Sequence, residues 1–163
     1  MVKQYENLVF VVINRLISNK EDAEDICQEV FIRVYKNLHS FAFQSKLSTW
    51  IARIAYHNSI NHLKKFKKSN HSVYDTNIDN FHFTDENPEK QLASKDHSAY
   101  IQRLIEQMPL QYKTVITLYH LNEFSYQEIE EITGMPEGTV KSYLFRARKL
   151  LKEKLAIYLK DSL

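Results

Sequence analysis

Apolar positions recur every three or four residues along most of the chain, the period of an amphipathic helix and not of a strand. Leu8, Val9, Val12, Ile13 and Leu16 predict a helix over about residues 4–17. Ala23, Ile26, Cys27, Val30 and Val34 form the stripe of a second. Ser48, a good N-cap residue, is expected to open a third that runs to about residue 66, with Leu47, Ile51, Ile54, Ala55 and Phe66 on one side. Over residues 70–88 the period fails and Asn, Asp, Ser, Thr and His dominate, which reads as a linker. Val73, Tyr74, Phe81 and Phe83 interrupt that polarity, so part of the linker is expected to dock on a surface. Ile101, Leu104, Ile105 and Met108 resume the helical spacing, and Pro109 ends it. A further helix is expected over residues 111–121, and two short helical units close the chain. The predicted fold is all-α: two small helical domains, residues 1–69 and 89–163, joined by a polar linker at 70–88.

The last two units have the local chemistry of a helix-turn-helix over residues 125–148. Ser125-Tyr126-Gln127-Glu128 matches a capping box, in which the serine caps the third helical N–H and the glutamate reaches back. Ile129 and Ile132 follow as core anchors. Gly134 permits a backbone turn that a β-carbon resists. Pro136 suits the first turn of the next helix. That helix has an apolar stripe of Val140, Leu144, Ala147, Leu151 and Leu155. Opposite it lie Lys141, Ser142, Phe145, Arg146, Lys149 and Lys152. From Gly134 onward, seven basic residues stand against three acidic ones (Glu137, Glu153 and Asp161). A basic solvated face is common. The cap, the glycine turn, the proline and the two-faced helix together favour a helix that enters the major groove. Thr139, Lys141, Ser142, Phe145, Arg146 and Lys149 are the candidate contacts to bases and phosphates.

The first lobe carries a second basic surface. No acidic residue occurs from Ile51 to Tyr74, where Arg53, Lys64, Lys65, Lys67 and Lys68 supply five positive charges. Trp50, Arg53, His57, Asn61 and Lys64 share one side of the predicted helix. Stacking, hydrogen bonding and phosphate attraction are all available there, which suits DNA with exposed bases. Phe41, Phe43, Gln44 and Lys46 precede it in a loop able to capture an unstacked base. Trp50 suits a core position better than a stacking platform. Asp25, Gln28 and Glu29 lie on the outer face of the preceding helix. Acidic residues near a helix start have a plain reason in the macrodipole, and they also repel DNA, so this face suits a protein partner.

Composition narrows the classes. Two glycines and three prolines in 163 residues favour long helices over turn-rich β folds. A net charge of +2 proves no nucleic-acid partner, so the distribution of charge carries the inference. A single cysteine, Cys27, excludes an internal disulfide framework and a cysteine-rich zinc site, and its place on an apolar stripe suits the core. No signal-like or bilayer-spanning stretch is read, so a cytoplasmic protein without membrane insertion is expected. No phosphate-binding glycine loop, nucleophile elbow or metal constellation is found. No enzyme, cofactor or metal site is therefore expected.

Two stretches resemble the extracytoplasmic-function sigma factors of bacterial RNA polymerase. Ala23-Glu24-Asp25-Ile26-Cys27-Gln28-Glu29-Val30-Phe31, with Leu47-Ser48-Thr49-Trp50-Ile51-Ala52-Arg53-Ile54-Ala55 and Leu63-Lys64-Lys65, resembles region 2. Met108-Pro109, Phe124-Ser125-Tyr126-Gln127-Glu128-Ile129 and the run from Gly138 to Arg148 resemble region 4. The resemblance implies docking on the polymerase β′ clamp through Asp25, Gln28, Glu29 and Arg33, and contact with the β flap. It implies minus-ten reading by the loop at 40–46 with Arg53, His57, Asn61 and Lys64, and minus-thirty-five reading by Lys141, Ser142, Phe145 and Arg146. The linker would pass near the RNA exit path, and an anti-sigma factor is an implied partner. His57 stands where the family usually has Asn, and Asn61 where Asp is frequent. Members commonly carry a further turn or two before the position of Tyr5, so either the first helix is short or the start of the chain is displaced. A two-lobed helix-turn-helix regulator that never joins polymerase is the alternative reading, against which the region 2 stretch argues.

Overall fold

The computed structural model describes residues 2–66, 74, 77–84 and 97–161. Seven α-helices occur among them: α1 (Val2–Leu16), α2 (Lys20–Asn37), α3 (Leu47–Phe66), α4 (His97–Gln107), α5 (Leu110–Ile116), α6 (Tyr126–Thr133) and α7 (Glu137–Asp161). None of the described helices is long and apolar enough to cross a membrane. The expected linker bounds at 70 and 88, Val73, Lys67, Lys68 and the start of the second lobe near Glu89 lie outside the described residues.

Helices α1, α2 and α3 pack on one another. The predicted stripe of α2 is buried in full: Ala23, Ile26, Cys27, Val30 and Val34. Asn19 opens that helix, its side chain accepting from the Asp22 N–H at 3.0 Å. Ser48 is not a cap. The Lys46 carbonyl already accepts the Trp50 N–H at 3.1 Å, so α3 starts one residue early and Ser48 lies in its first turn. Phe66, expected on the core stripe, is 69% exposed, because it falls in an exposed last turn with Lys64 and Lys65. Its ring rests on His62, centroids 4.7 Å apart.

In the second lobe α4, α5 and α6 each pack on α7. The expected helix over 111–121 is α5 followed by a π-type turn, Thr117–Leu121. The far end of α7 returns to α4, where Tyr158 stacks on Tyr100 at 4.0 Å.

The lobes do not stand apart. Helix α3 packs on α6, and α1 on α5 and the π-type turn. One cluster of buried apolar residues runs from Val9, Ile51 and Ala55 through Val115, Ile129 and Ile132 to Leu144. Val12, Leu16 and Tyr56 meet Thr114, Thr117 and Leu118 across the seam. The connecting segment docks as its apolar residues predict. Ile78 is buried, Phe81 and Phe83 pack edge to face at 5.1 Å, and the Tyr74 and Tyr56 hydroxyls meet at 2.5 Å.

Candidate nucleic-acid interface

Local chemistry builds the helix-turn-helix much as its sequence dictates. Ser125 Oγ accepts the Glu128 N–H at 3.1 Å and caps α6. The return half of the capping box differs. Glu128 accepts from the Ser125 hydroxyl at 3.2 Å and from the Thr49 hydroxyl at 3.3 Å, and Lys46 Nζ lies 3.6 Å away. The first lobe competes for this carboxylate. Gly134 ends α6 at φ 80°, its N–H donating to the Glu130 carbonyl at 2.8 Å. Pro136 immediately precedes α7 and its carbonyl accepts the Val140 N–H at 3.0 Å.

Helix α7 buries Val140, Leu144 and Ala147. On its other side Lys141, Phe145, Arg146 and Lys149 are exposed, while Thr139 and Ser142 are half-buried. All six minus-thirty-five candidates therefore sit on the outer side of a helix anchored by its opposite stripe. Lys141 pairs with Glu137 one turn back at 3.1 Å. Arg146 Nη1 donates to Asp79 of the connecting segment at 2.6 Å. An acidic side chain thus occupies one DNA candidate.

A groove of about 390 Å³ lies between α2 and α3. Trp50, Arg53, His57 and Asn61 line one wall, and Arg33, Asn37 and Ser40 the other. Trp50 is half-buried and tilts onto Phe41 at 5.3 Å, so it serves packing and a groove wall at once. Phe43 lies 4.8 Å from Phe41, is 85% exposed and sits at φ 57°. A bulky residue in the left-handed region is strained, which marks the loop as one that displays an aromatic ring. Burial, Arg53 and Lys64 all push the His57 pKa down. Gln44 and Lys64 are exposed nearby, and Lys46 turns to Glu128.

Asp25, Gln28 and Glu29 are exposed along α2. Arg33 pairs with Glu29 at 2.9 Å and also faces the groove, so the two candidate surfaces share this residue. Ile32 and Tyr35, 54% and 74% exposed, add apolar area beside it. Asn58 was not legible as a groove residue. It is buried at the base with Nδ2 unpartnered, and an asparagine at a core position of the helical stripe is the signal that could have found it. Arg148 was counted only as charge, yet it lies over the Tyr119 ring at 5.0 Å.

Two family models match the chain: "Sigma-70 region 2" over residues 1–69 and "Sigma-70, region 4" over residues 98–151. The chain is 35% identical to an ECF RNA polymerase sigma factor, SigW of Bacillus subtilis, covering 95% of this chain and 87% of that one. It is 33% identical to the ECF RNA polymerase sigma-E factor of Haemophilus influenzae, over 95% of this chain and 85% of that one. Among solved structures, the fold matches RpoE of Bartonella quintana, solved with the anti-sigma factor NepR, at a TM-score of 0.74 and 21% identity, over 96% and 94% of the two chains. It also matches CnrH, solved with the cytosolic domain of CnrY, at a TM-score of 0.66 and 17% identity, over 96% and 85%.

Proposed function

Because the chain belongs to the extracytoplasmic-function sigma factors of the sigma-70 family, we propose that it divides its work among three exposed surfaces. As a sigma factor it binds RNA polymerase and promoter DNA, directs core polymerase to promoters and initiates transcription. Residues 1–69 carry core and minus-ten binding, 70–88 connect, and 89–163 carry minus-thirty-five binding. Asp25, Gln28, Glu29 and Arg33 dock on the β′ clamp, and the second lobe meets the β flap. Phe41, Phe43, Gln44, Lys46, Trp50, Arg53, His57, Asn61 and Lys64 receive the opened minus-ten strand. Thr139, Lys141, Ser142, Phe145, Arg146 and Lys149 read the minus-thirty-five duplex.

The observation that carries the residue-level reading is α7. Its buried stripe fixes the helix, and its outer side presents cations and an exposed Phe145 at the spacing that a major groove accepts. Strand opening rests on the groove between α2 and α3 and on the strained, displayed Phe43. An anti-sigma factor is the proposed regulator; the sigma factor RpoE, whose fold this chain shares, was solved bound to the anti-sigma factor NepR, and CnrH, of the same fold, bound to the cytosolic domain of CnrY. Run-off transcription tests the whole reading. Purified chain with core polymerase should initiate on promoter fragments selected from random DNA, and Lys141→Ala with Arg146→Ala should abolish that selection. Normal selection by this variant would overturn the minus-thirty-five assignment.

A further inference from the structure

Three elements of the second lobe bring together two tyrosines and two cations. Tyr119 comes from the π-type turn, Tyr126 is the first residue of α6, and Lys141 and Arg148 project from α7. The two tyrosine rings stack at 5.1 Å and 12°. Lys141 Nζ lies over the Tyr126 ring at 5.3 Å, and Arg148 Cζ over the Tyr119 ring at 5.0 Å. Arg148 Nε further donates to His120 Nε2 at 2.9 Å. That bond requires the imidazole nitrogen to be unprotonated, and burial together with Arg148 pushes the His120 pKa down.

A tyrosine pair that merely packed α6 on the π-type turn would explain the stack. It would not explain why each ring also carries a cation. Two turns of α7 separate Lys141 from Arg148, about 10 Å along the axis. Each cation–π contact at an exposed site is worth only about 0.5–1 kcal/mol, so the arrangement orders long side chains more than it stabilises the fold. No carboxylate lies within ion-pair distance of Arg148 among the described residues. Its charge is fixed in place and left unneutralised on the surface.

The flank matters. In a helix-turn-helix the first helix crosses the DNA backbone while the second lies in the groove. Tyr126 starts the first helix, so the side of α7 that faces Tyr126 and Tyr119 looks toward phosphates and not toward base edges. We propose that Tyr119 and Tyr126 form a positioning platform that presents Arg148, with Lys141, to phosphates of the duplex beside the recognition helix. This rests on the minus-thirty-five reading above and adds to it a phosphate contact, Arg148, and two residues that act through it. It also assigns Lys141 to the backbone, leaving Ser142, Phe145 and Arg146 to the bases.

Salt dependence of binding tests the platform, because each lost phosphate contact lowers the slope of log K against log salt by about 1. The measurement uses holoenzyme reconstituted from core polymerase and the full chain, on a duplex promoter fragment that this holoenzyme selects from random DNA. Arg148→Ala should weaken binding roughly five- to tenfold, lower the slope by about 1 and leave the selected sequence unchanged. Tyr119→Leu should do the same, and adding it to Arg148→Ala should cost nothing more. Tyr119→Phe, which keeps the ring face, should keep the wild-type slope. Circular dichroism on each variant reports folding; should Tyr119→Leu unfold, Arg148→Ala and Tyr119→Phe still decide. An unchanged slope in Arg148→Ala, or additive losses in the double variant, would overturn the platform. Arg146→Ala separates the two levels. If it relaxes the selected sequence while Arg148→Ala has no effect, only the platform fails. If neither variant changes binding, the minus-thirty-five reading fails with it.

Discussion

His57 titrates against its surroundings. Burial is the largest cause of its lowered pKa, followed by the charges of Arg53 and Lys64. His120 is lowered too, by burial and then by Arg148. In both, the unfolded chain holds the proton more tightly, so their contribution to stability is complete above about pH 6.5 and is lost as pH falls below it through the lowered folded pKa. The thermal midpoint should therefore drop as pH falls below about 6.5, and His57→Gln with His120→Gln should flatten that drop. Promoter binding should run the other way at His57. A phosphate in the groove favours the imidazolium, so wild-type affinity should rise as pH falls, and an unchanged pH profile in His57→Gln would place the phosphate elsewhere. Asn58 offers a contrasting case. An unpartnered buried amide costs about 1–3 kcal/mol, so Asn58→Leu should raise stability by roughly 1 kcal/mol in a denaturant melt. If the variant also initiates normally, the amide plays no part in DNA capture. The exposed face of α3 was legible because charge and aromatic type mark a surface. Asn58 was not, since its burial follows from how α2 leans on α3.

At the scale of elements, the helix-turn-helix was the most readable part because its signals are local. Ser125 caps, Gly134 turns and Pro136 leads into α7, each within a few residues of the group it satisfies. Gly134 has φ 80°, and a β-carbon added there meets nothing within 4 Å, so Gly134→Ala costs backbone strain alone. That cost is about 1 kcal/mol, and Gly134→Asn should cost less. A melt showing no loss for the alanine variant would mean that the turn relaxes to another conformation. Element boundaries were read less well. Ser48 looked like a cap, but the Lys46 carbonyl had already opened the helix, and Glu128 looked like half of a local box while serving Thr49 as well. Helix α2 carries the protein-facing prediction. Asp25 and Glu29 are exposed beside Ile32, an acidic face with an apolar centre. Asp25→Lys with Glu29→Lys should weaken core binding at least tenfold in a pull-down while leaving DNA affinity unchanged, and normal core capture would remove these residues from the docking face.

The whole molecule is where sequence says least. Hydrophobic spacing marks which side of a helix is buried but not against what, and so the packing of α1 on α5 and the π-type turn, where Val12 and Leu16 meet Thr114 and Leu118, was not legible. That packing has a consequence for promoter engagement. Minus-ten and minus-thirty-five elements are about 25 base pairs apart, roughly 85 Å of duplex at ~3.4 Å per pair. A compact chain of 163 residues has a radius of gyration of about 15 Å, a diameter near ~40 Å. The closed arrangement cannot reach both elements at once. For the proposed surfaces to engage both elements, the lobes must part along α3 and α6, and Asp79 must leave Arg146 for a base to replace it. Lys46 and Glu128 report that seam, since their charged groups lie 3.6 Å apart across it. A carbodiimide should join them as an amide in the free protein, giving a linked peptide in mass spectrometry that Lys46→Arg removes. The same treatment of a promoter-bound holoenzyme should give none, and protein linked beforehand should bind core polymerase yet fail to initiate. A linked chain that opens promoters normally would show that the two lobes stay docked during initiation, and that one of the two promoter elements is read by something other than this chain.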